Sequence, residues 1–505
     1  MSDPGKWGRN KRRWLVLFFL FVTYGAFGWS HRAVAQASSL ETVQRPTIAI
    51  EEVTVVDVIG GKIDGPQTIL IVDGRIAAIG KPGEIELPPE TVRLAGRERY
   101  LIPGLVDMHV HLFNNATRRP PNEWAFPLFI ANGVTAVREM AIEPAQMAVV
   151  NGWRSKVERG ELVAPRVLAA GAVARAETAT SVREQVHASK AAGVDFMKVF
   201  SDMQKRVWRM LLAEASAARL PVCGHIPGQV RLLEAAASGQ RSNEHLTQVY
   251  EACSAAEEKF LSARQRMEGT KSAAIVQTQE REVLESFDQL ACERVAAALA
   301  RTDQVQVPTL VLSYFEAKYI EANEAWAKVR DDKRWPYLRA DEQARWQRLL
   351  TERTDADKTL ALRRWEVSRQ IVQTLNTAGV RILAGTDAPM PLVYPGFALH
   401  QELELLVRAG MSTADALRSA TIWPVEFLGQ ADQSGTIAIG KRADLVLLDE
   451  NPLTAIENTQ RVRAVILDGR VRERSALDLL LSATSRGEPA GALPQTKSIP
   501  ADAAR

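Results

Sequence analysis

Apolar and polar positions alternate with a two-residue period near both ends of the chain. From Thr47 to Leu101 the runs IAIEEVTVVDV and TILIVDGRIAAIG, the second with an Asp-Gly turn, predict short strands punctuated by Gly and Pro. GTIAIGKRADLVLLD and RVRAVILDGRVRE, with another Asp-Gly turn, repeat that texture near the far end. Between them the pattern changes. Eight apolar stretches, YLIPGLVDMHVHL, GVTAVREM, PRVLAAG, DFMKVF, PVCGHI, RSNEHL, QVPTLVL and VRILAGTD, alternate with amphipathic helical patterns. Apolar strand followed by helix, repeated, predicts a parallel sheet with crossover helices, and eight repeats predict closure. The expected fold is α/β: a (β/α)8 TIM barrel over 102–431, with a small β-sandwich domain built from both chain ends, 47–101 and 432–478.

Two helical stretches, about 250–303 and 314–376, are far longer than ordinary barrel connections. Insertions of that size on a barrel's active face are lids, or else packing and dimer surfaces. The Ser/Pro/Ala-rich segment 482–505 is expected to be a disordered tail.

The formal charge of +3 is set by the first residues. Lys6, Arg9, Lys11, Arg12, Arg13 and Arg32 face a single acid, Asp3, and the remainder is close to neutral. No basic field argues for nucleic acid. A basic stretch, the apolar run Trp14 to Trp29 and the small-residue site Ala33-Val34-Ala35 read as a signal peptide over residues 1–35. A periplasmic or secreted protein is expected, with an uncleaved membrane anchor as the minority reading. Arg12-Arg13 leaves Sec and twin-arginine export both open. Three cysteines are too few for a disulfide scaffold. Cys253 and Cys292 share one polar helical region, so their pairing stays open, and Cys223 reads as a buried thiol.

Of seven histidines, four fall at predicted strand C-termini. His109 and His111, two apart, share a strand face. His225 ends the fifth stretch and His245 the sixth, while Asp387 ends the eighth. Barrel strand ends converge on one rim, so five potential ligands meet there, and imidazole with carboxylate suits zinc, with iron, nickel, cobalt and manganese as other fits. Lys198 ends the fourth stretch among apolar residues, in phase with the ligands. A bare ammonium beside divalent cations is costly, whereas N6-carboxylation would make Lys198 an anionic bridge. Arg138 and Tyr250 point to the same rim as candidate contacts for a carboxylate or carbonyl, against a structural role for the arginine. His400 either touches substrate or packs.

The HVH after PGLVDM, the lysine of DFMKVF, the two later histidines, GTD and the C-terminal KRADLVLLD resemble the amidohydrolase superfamily from about Ile48 to Arg472. Within it, DFMKVF, GHIPG and HQELELLVRAGMS are most similar to imidazolonepropionase-like proteins and prolidase-type dipeptidases. The resemblance implies two divalent metal ions, most simply Zn2+. His109, His111 and Asp387 would hold one, His225 and His245 the other, and carboxylated Lys198 would bridge. It implies a bridging hydroxide attacking a carbonyl, with Asp387 as acid and base. The expected reaction is hydrolysis of an amide bond in a dipeptide or N-acyl amino acid. A lactonase or phosphotriesterase-like hydrolase on the same centre is the first alternative, and a non-catalytic binding relic the second. The expected partner is a small molecule or short peptide; homo-oligomerisation is left open.

Overall fold

The computed structural model describes residues 45–113, 120–175, 177–266, 273–321, 329–351 and 355–488. The expected leader therefore lies outside the described residues. Among the described residues no helix is long and apolar enough to cross a membrane.

Five strands come first: β1 (Ile48–Asp57), β2 (Lys62–Val72), β3 (Arg75–Gly80), β4 (Val92–Ala95) and β5 (Tyr100–Pro103). Seven barrel strands follow: β6 (Leu105–Val110), β7 (Val134–Ile142), β8 (Arg166–Val173), β9 (Phe196–Val199), β10 (Val222–Gly224), β11 (Gln240–Glu244) and β12 (Val305–Val307). Three more, β13 (Leu445–Leu448), β14 (Val462–Leu467) and β15 (Arg470–Glu473), complete the set.

The two terminal β-rich segments join in one sheet, in the order β15-β14-β13-β5-β1-β2-β3, with β4 also on β1. The seam is β13 against β5, antiparallel, with Leu447 opposite Leu101. Both Asp-Gly turns form as read. Asp73 and Gly74 join β2 to β3 with φ of 50° and 73°, as Asp468 and Gly469 join β14 to β15 with 53° and 68°. Positive φ at both turn positions matches the right-handed strand twist, which is why Asp-Gly serves there. Alternate residues of these strands, including Ile48, Ile50, Ile69, Ile71, Leu445 and Leu447, bury a core of their own.

The seven central strands form a parallel sheet running in chain order from β6 to β12. The stretch read as the eighth strand closes it. Ile382 bridges Gln306 within β12, and Ala388 bridges Val110 at the end of β6. Every residue of β6, β7, β9 and β12 is buried, as expected for strands covered by helices outside and by packed side chains inside.

Both long insertions are helical. The first carries helices Val249–Ala252, Glu257–Arg266, Ala273–Glu285 and Gln289–Leu299, the second Leu310–Glu321, Ala340–Thr351 and Asp355–Thr377. A disulfide joins Cys253 to Cys292 and so ties the start of the first insertion to its last helix. Cys223 is a buried free thiol. The tail expected to be disordered from residue 482 is instead helical as far as Ser485, because helix Arg474–Ser485 buries Leu477, Leu480 and Ala483. Residues beyond 488 lie outside the described set.

Candidate metal centre

All six expected ligand residues sit at the C-terminal end of the barrel. His109 and Lys198 lie within β6 and β9, while His111, His225 and His245 follow β6, β10 and β11 directly. Asp387 follows the closing stretch, with its backbone N–H bonded to the His109 carbonyl at 2.7 Å. His245 and Asp387 both have left-handed backbones, φ 59° and 65°. That conformation is strained for residues with a Cβ, and here the surrounding hydrogen bonds hold it.

Asp387 is the centre of the cluster. One carboxylate oxygen lies 2.9 Å from His111 Nε2 and 3.4 Å from His109 Nε2. The other lies 4.0 Å from His245 Nε2. The His225 and His245 rings are 5.0 Å apart between centroids, and those of His109 and His245 4.5 Å. Ligand atoms of His109, His245 and Asp387 fall within 4.8 Å of one another.

Three of the four imidazoles are anchored through Nδ1. His109 Nδ1–H donates to Glu244 Oε2 at 2.9 Å. Thr309 Oγ1 spends its own proton on the Pro308 carbonyl at 2.7 Å, so it accepts from His245 Nδ1–H at 2.8 Å. His225 Nδ1 meets Ser201 Oγ at 3.1 Å. Fixing Nδ1–H leaves Nε2 as a lone pair, the form a divalent cation needs. Consistent with this, His109 Nε2 and Lys198 Nζ are buried and have no hydrogen-bond partner among the described residues, and Asp387 Oδ1 is buried against the Nε2 atoms of His111 and His109. Buried polar atoms without partners are expensive, and a cation would take the lone pairs of His109 Nε2 and Asp387 Oδ1. The donor set therefore fits a divalent metal.

The electrostatics agree for three of the imidazoles, while at His111 burial is outweighed by the hydrogen bond and charge of Asp387, which raise the ring. Burial, then the Lys198 charge, holds His109 and His225 well below the ordinary imidazole value, so both stay neutral. Burial also lowers His245, against the opposing pull of Asp387. Burial pushes the Lys198 amine down to about 8, against the pull of Glu244 and Asp387. For Asp387, burial would raise the carboxyl, but His245 and His111 outweigh it and keep the group ionised.

The outer candidates divide. Tyr250 lines a pocket of about 400 Å3 beside His245, with its hydroxyl 2.8 Å from Ser368 Oγ and its ionisation pushed up to about 12 by burial. Arg138 is not a substrate contact. It is fully buried, donates to the Met108 carbonyl at 2.7 Å and to Glu244 Oε1 at 2.9 Å, and so holds the carboxylate that orients His109. His400 is not at the site either. It is buried, with Nδ1 2.9 Å from Thr459 Oγ1 and Nε2 2.9 Å from the Asn132 carbonyl, so it packs between the barrel and the C-terminal segment.

Sequence reasoning missed Glu244, Thr309 and Asp107. Asp107 accepts from the backbone N–H groups of His109 and Thr386 and from the Thr386 hydroxyl, locking the first barrel strand to the closing stretch. The signal for Glu244 was present in RSNEHL: a carboxylate inside a strand buried on both faces needs a cationic partner.

The description "Amidohydrolase family" matches residues 347–472. A dihydroorotase of Anaeromyxobacter dehalogenans is 36% identical over 97 residues, 18% of this chain and 21% of that enzyme. The chain thus matches about a fifth of the length of that curated relative. Among solved structures, bottromycin amidohydrolase is similar with a TM-score of 0.66 and 24% identity, covering 90% of this chain and 95% of that one. A Xaa-Pro dipeptidase with methionine bound in its active site gives 0.58 and 18%, covering 85% and 100%. These likenesses bear out the barrel with its separate β-domain.

Proposed function

We propose that the chain is an amidohydrolase, as its match over residues 347–472 supports, and that it hydrolyses an amide C–N bond at a centre of two divalent cations. The observation that carries this reading is the gathering of His109, His111 and His245 around Asp387, with Nδ1 of His109 and His245 anchored so that Nε2 is left for an ion. His109, His111 and Asp387 would hold one cation and His225 and His245 the other. Lys198, its buried amine without a partner, would bridge once carboxylated. Such cations, most simply zinc, supply Lewis acidity toward a carbonyl and acidify water.

The residues do the rest. Asp387, kept ionised by His111 and His245, accepts the proton of the attacking water and returns it to the departing nitrogen. Asp107 and Thr386 hold the loop that presents it. Glu244 and Thr309 fix the imidazole tautomers through Nδ1. Dipeptides and N-acyl amino acids are the first substrates to try, in keeping with the likeness to a Xaa-Pro dipeptidase. The protein is proposed to work outside the cytoplasm. The basic-apolar leader supports this, and so does the Cys253–Cys292 disulfide, since such bonds persist in oxidising compartments.

The test is twofold. Protein made with zinc and bicarbonate should carry about two metals per chain by elemental analysis, as expected for a binuclear site. It should also release amine from a panel that includes dipeptides, N-acyl amino acids, lactones and phosphotriesters. Turnover of esters alone would replace the amide reading with the lactonase or phosphotriesterase one. Less than one metal per chain would remove the catalytic reading.

A further inference from the structure

Beside His245 the barrel mouth opens into the pocket of about 400 Å3. Its walls come from the start of helix Leu310–Glu321, from the loop after Asp387, and from the second helical insertion. Pro308, Leu312, Leu349, Leu350, Met390 and Leu392 present carbon to it. Leu349 and Met390 are also exposed to solvent, so this apolar surface lies uncovered.

The polar side chains on the same walls have already committed their protons. Thr309 donates to the Pro308 carbonyl at 2.7 Å, and Ser313 to the Leu310 carbonyl at 3.1 Å. Ser368 donates to the Arg364 carbonyl at 2.6 Å, so its oxygen is the acceptor for Tyr250, whose single proton is thereby spent. Arg364, the one cation lining the pocket among the described residues, holds Glu280 and Glu316 with all three of its guanidinium nitrogens. A carboxylate entering this space would meet one cation, Arg364, whose charge is already balanced by Glu280 and Glu316, and would face Glu316 itself. An anion stripped of water without replacement hydrogen bonds is strongly rejected, whereas apolar surface gains from the same desolvation.

We infer that this pocket is the substrate's recognition subsite and takes an uncharged apolar group, aromatic or branched aliphatic, in preference to a free carboxylate. The inference rests on the reading of the neighbouring centre as an amide hydrolase. It narrows the substrate from dipeptides with a free C-terminus to amides whose flanking group is bulky and neutral.

Calorimetric titration of the zinc-loaded full chain with three probes tests it: N-acetylphenylalanine amide, N-acetylphenylalanine and N-acetylalanine amide. The neutral aromatic probe should bind roughly tenfold or more tighter than either of the others. Leu350→Trp, which fills the pocket, should weaken the aromatic probe about tenfold and leave the alanine probe within about twofold. Leu349→Trp, at the exposed rim, serves the same purpose if Leu350→Trp does not fold. Equal or tighter binding of the carboxylate overturns the inference, as does indifference of the aromatic probe to the folded variant. Release of acetate and ammonia is assayed alongside, so binding and turnover are read apart. A protein that binds the aromatic amide but releases neither acetate nor ammonia fails as an amide hydrolase while the inference stands. Turnover without the size and charge preference fails the inference alone.

Discussion

The metal rim and the pocket wall meet at His245, yet they are built by opposite physics. The rim is polar, rests on fully buried supports and is over-determined: Arg138 holds Glu244, Glu244 holds His109, and Asp107 clamps the strand of His109 to the loop of Asp387. The wall is mostly carbon and is recruited from the insertions. Trp346 packs on Tyr394 at 4.9 Å between centroids and stands close to Trp335 as well, while Arg345 donates to the Pro389 carbonyl at 2.7 Å. A hydrogen-bonded rim tolerates little displacement, whereas an apolar wall can be recut at small cost. On the proposed reading the barrel fixes the chemistry, and the insertions carry the choice of substrate.

The sharpest break in that comparison comes from Arg138→Met. It leaves Glu244 buried without its countercharge, which should cost roughly 3–5 kcal/mol in urea-induced unfolding. It should also free His109 to turn, lowering metal affinity about 10–100-fold in competition with a chelator. Unchanged metal affinity in a folded variant would show that the rim does not depend on this relay.

How much of this was legible in the sequence follows the same division. Strand-end histidines announce themselves because a strand's two-residue period and the barrel's converging ends are local rules. His109, His111, Lys198, His225, His245 and Asp387 obey them, and the Asp-Gly turns placed the β-domain hairpins equally well. Long-range pairing has no such local signature. Arg138 and Glu244 are 106 positions apart, and His400 and Asn132 268. Arg138 and His400 were each left between a substrate contact and a structural role, and both are buried in the structural one. The second insertion was legible as helical from composition, but not as the maker of a pocket. Nothing in ADEQARWQRLL says that Trp346 will meet Tyr394.

His400 offers a measurement on the rigid side of the comparison that leaves the metal alone. Burial holds its imidazole down to about 4, so the folded protein keeps it neutral while the unfolded chain protonates near 6.5. A depressed folded-state value gives stability that is complete above the unfolded value and is lost as pH falls toward the folded one. His400→Gln does not titrate, so the difference in stability between the native protein and the variant should shrink as pH falls from 7 to 4, by about 3 kcal/mol. Chemical denaturation at both pH values reads this directly. A difference independent of pH would mean that the ring takes up its proton in the fold as readily as in the unfolded chain, the Asn132 carbonyl that favours the charged ring then offsetting burial.

The smallest expected effect on stability falls on the wall, and it sharpens the comparison most finely. Trp346 is fully buried, yet its indole Nε1 has no hydrogen-bond partner among the described residues. Trp346→Phe deletes apolar contact with Tyr394, which destabilises, and also removes an unpaired buried N–H, which stabilises. The two nearly offset, so unfolding should shift by no more than about 1 kcal/mol. The same change loosens the helix that brings Leu349 and Leu350 to the pocket, so KM for bulky amides should rise about two- to fivefold while kcat and metal content hold, the pattern of lost uniform binding. A fall in kcat at constant KM would instead place this helix in the chemistry, and would erase the separation between a rim that reacts and a wall that selects.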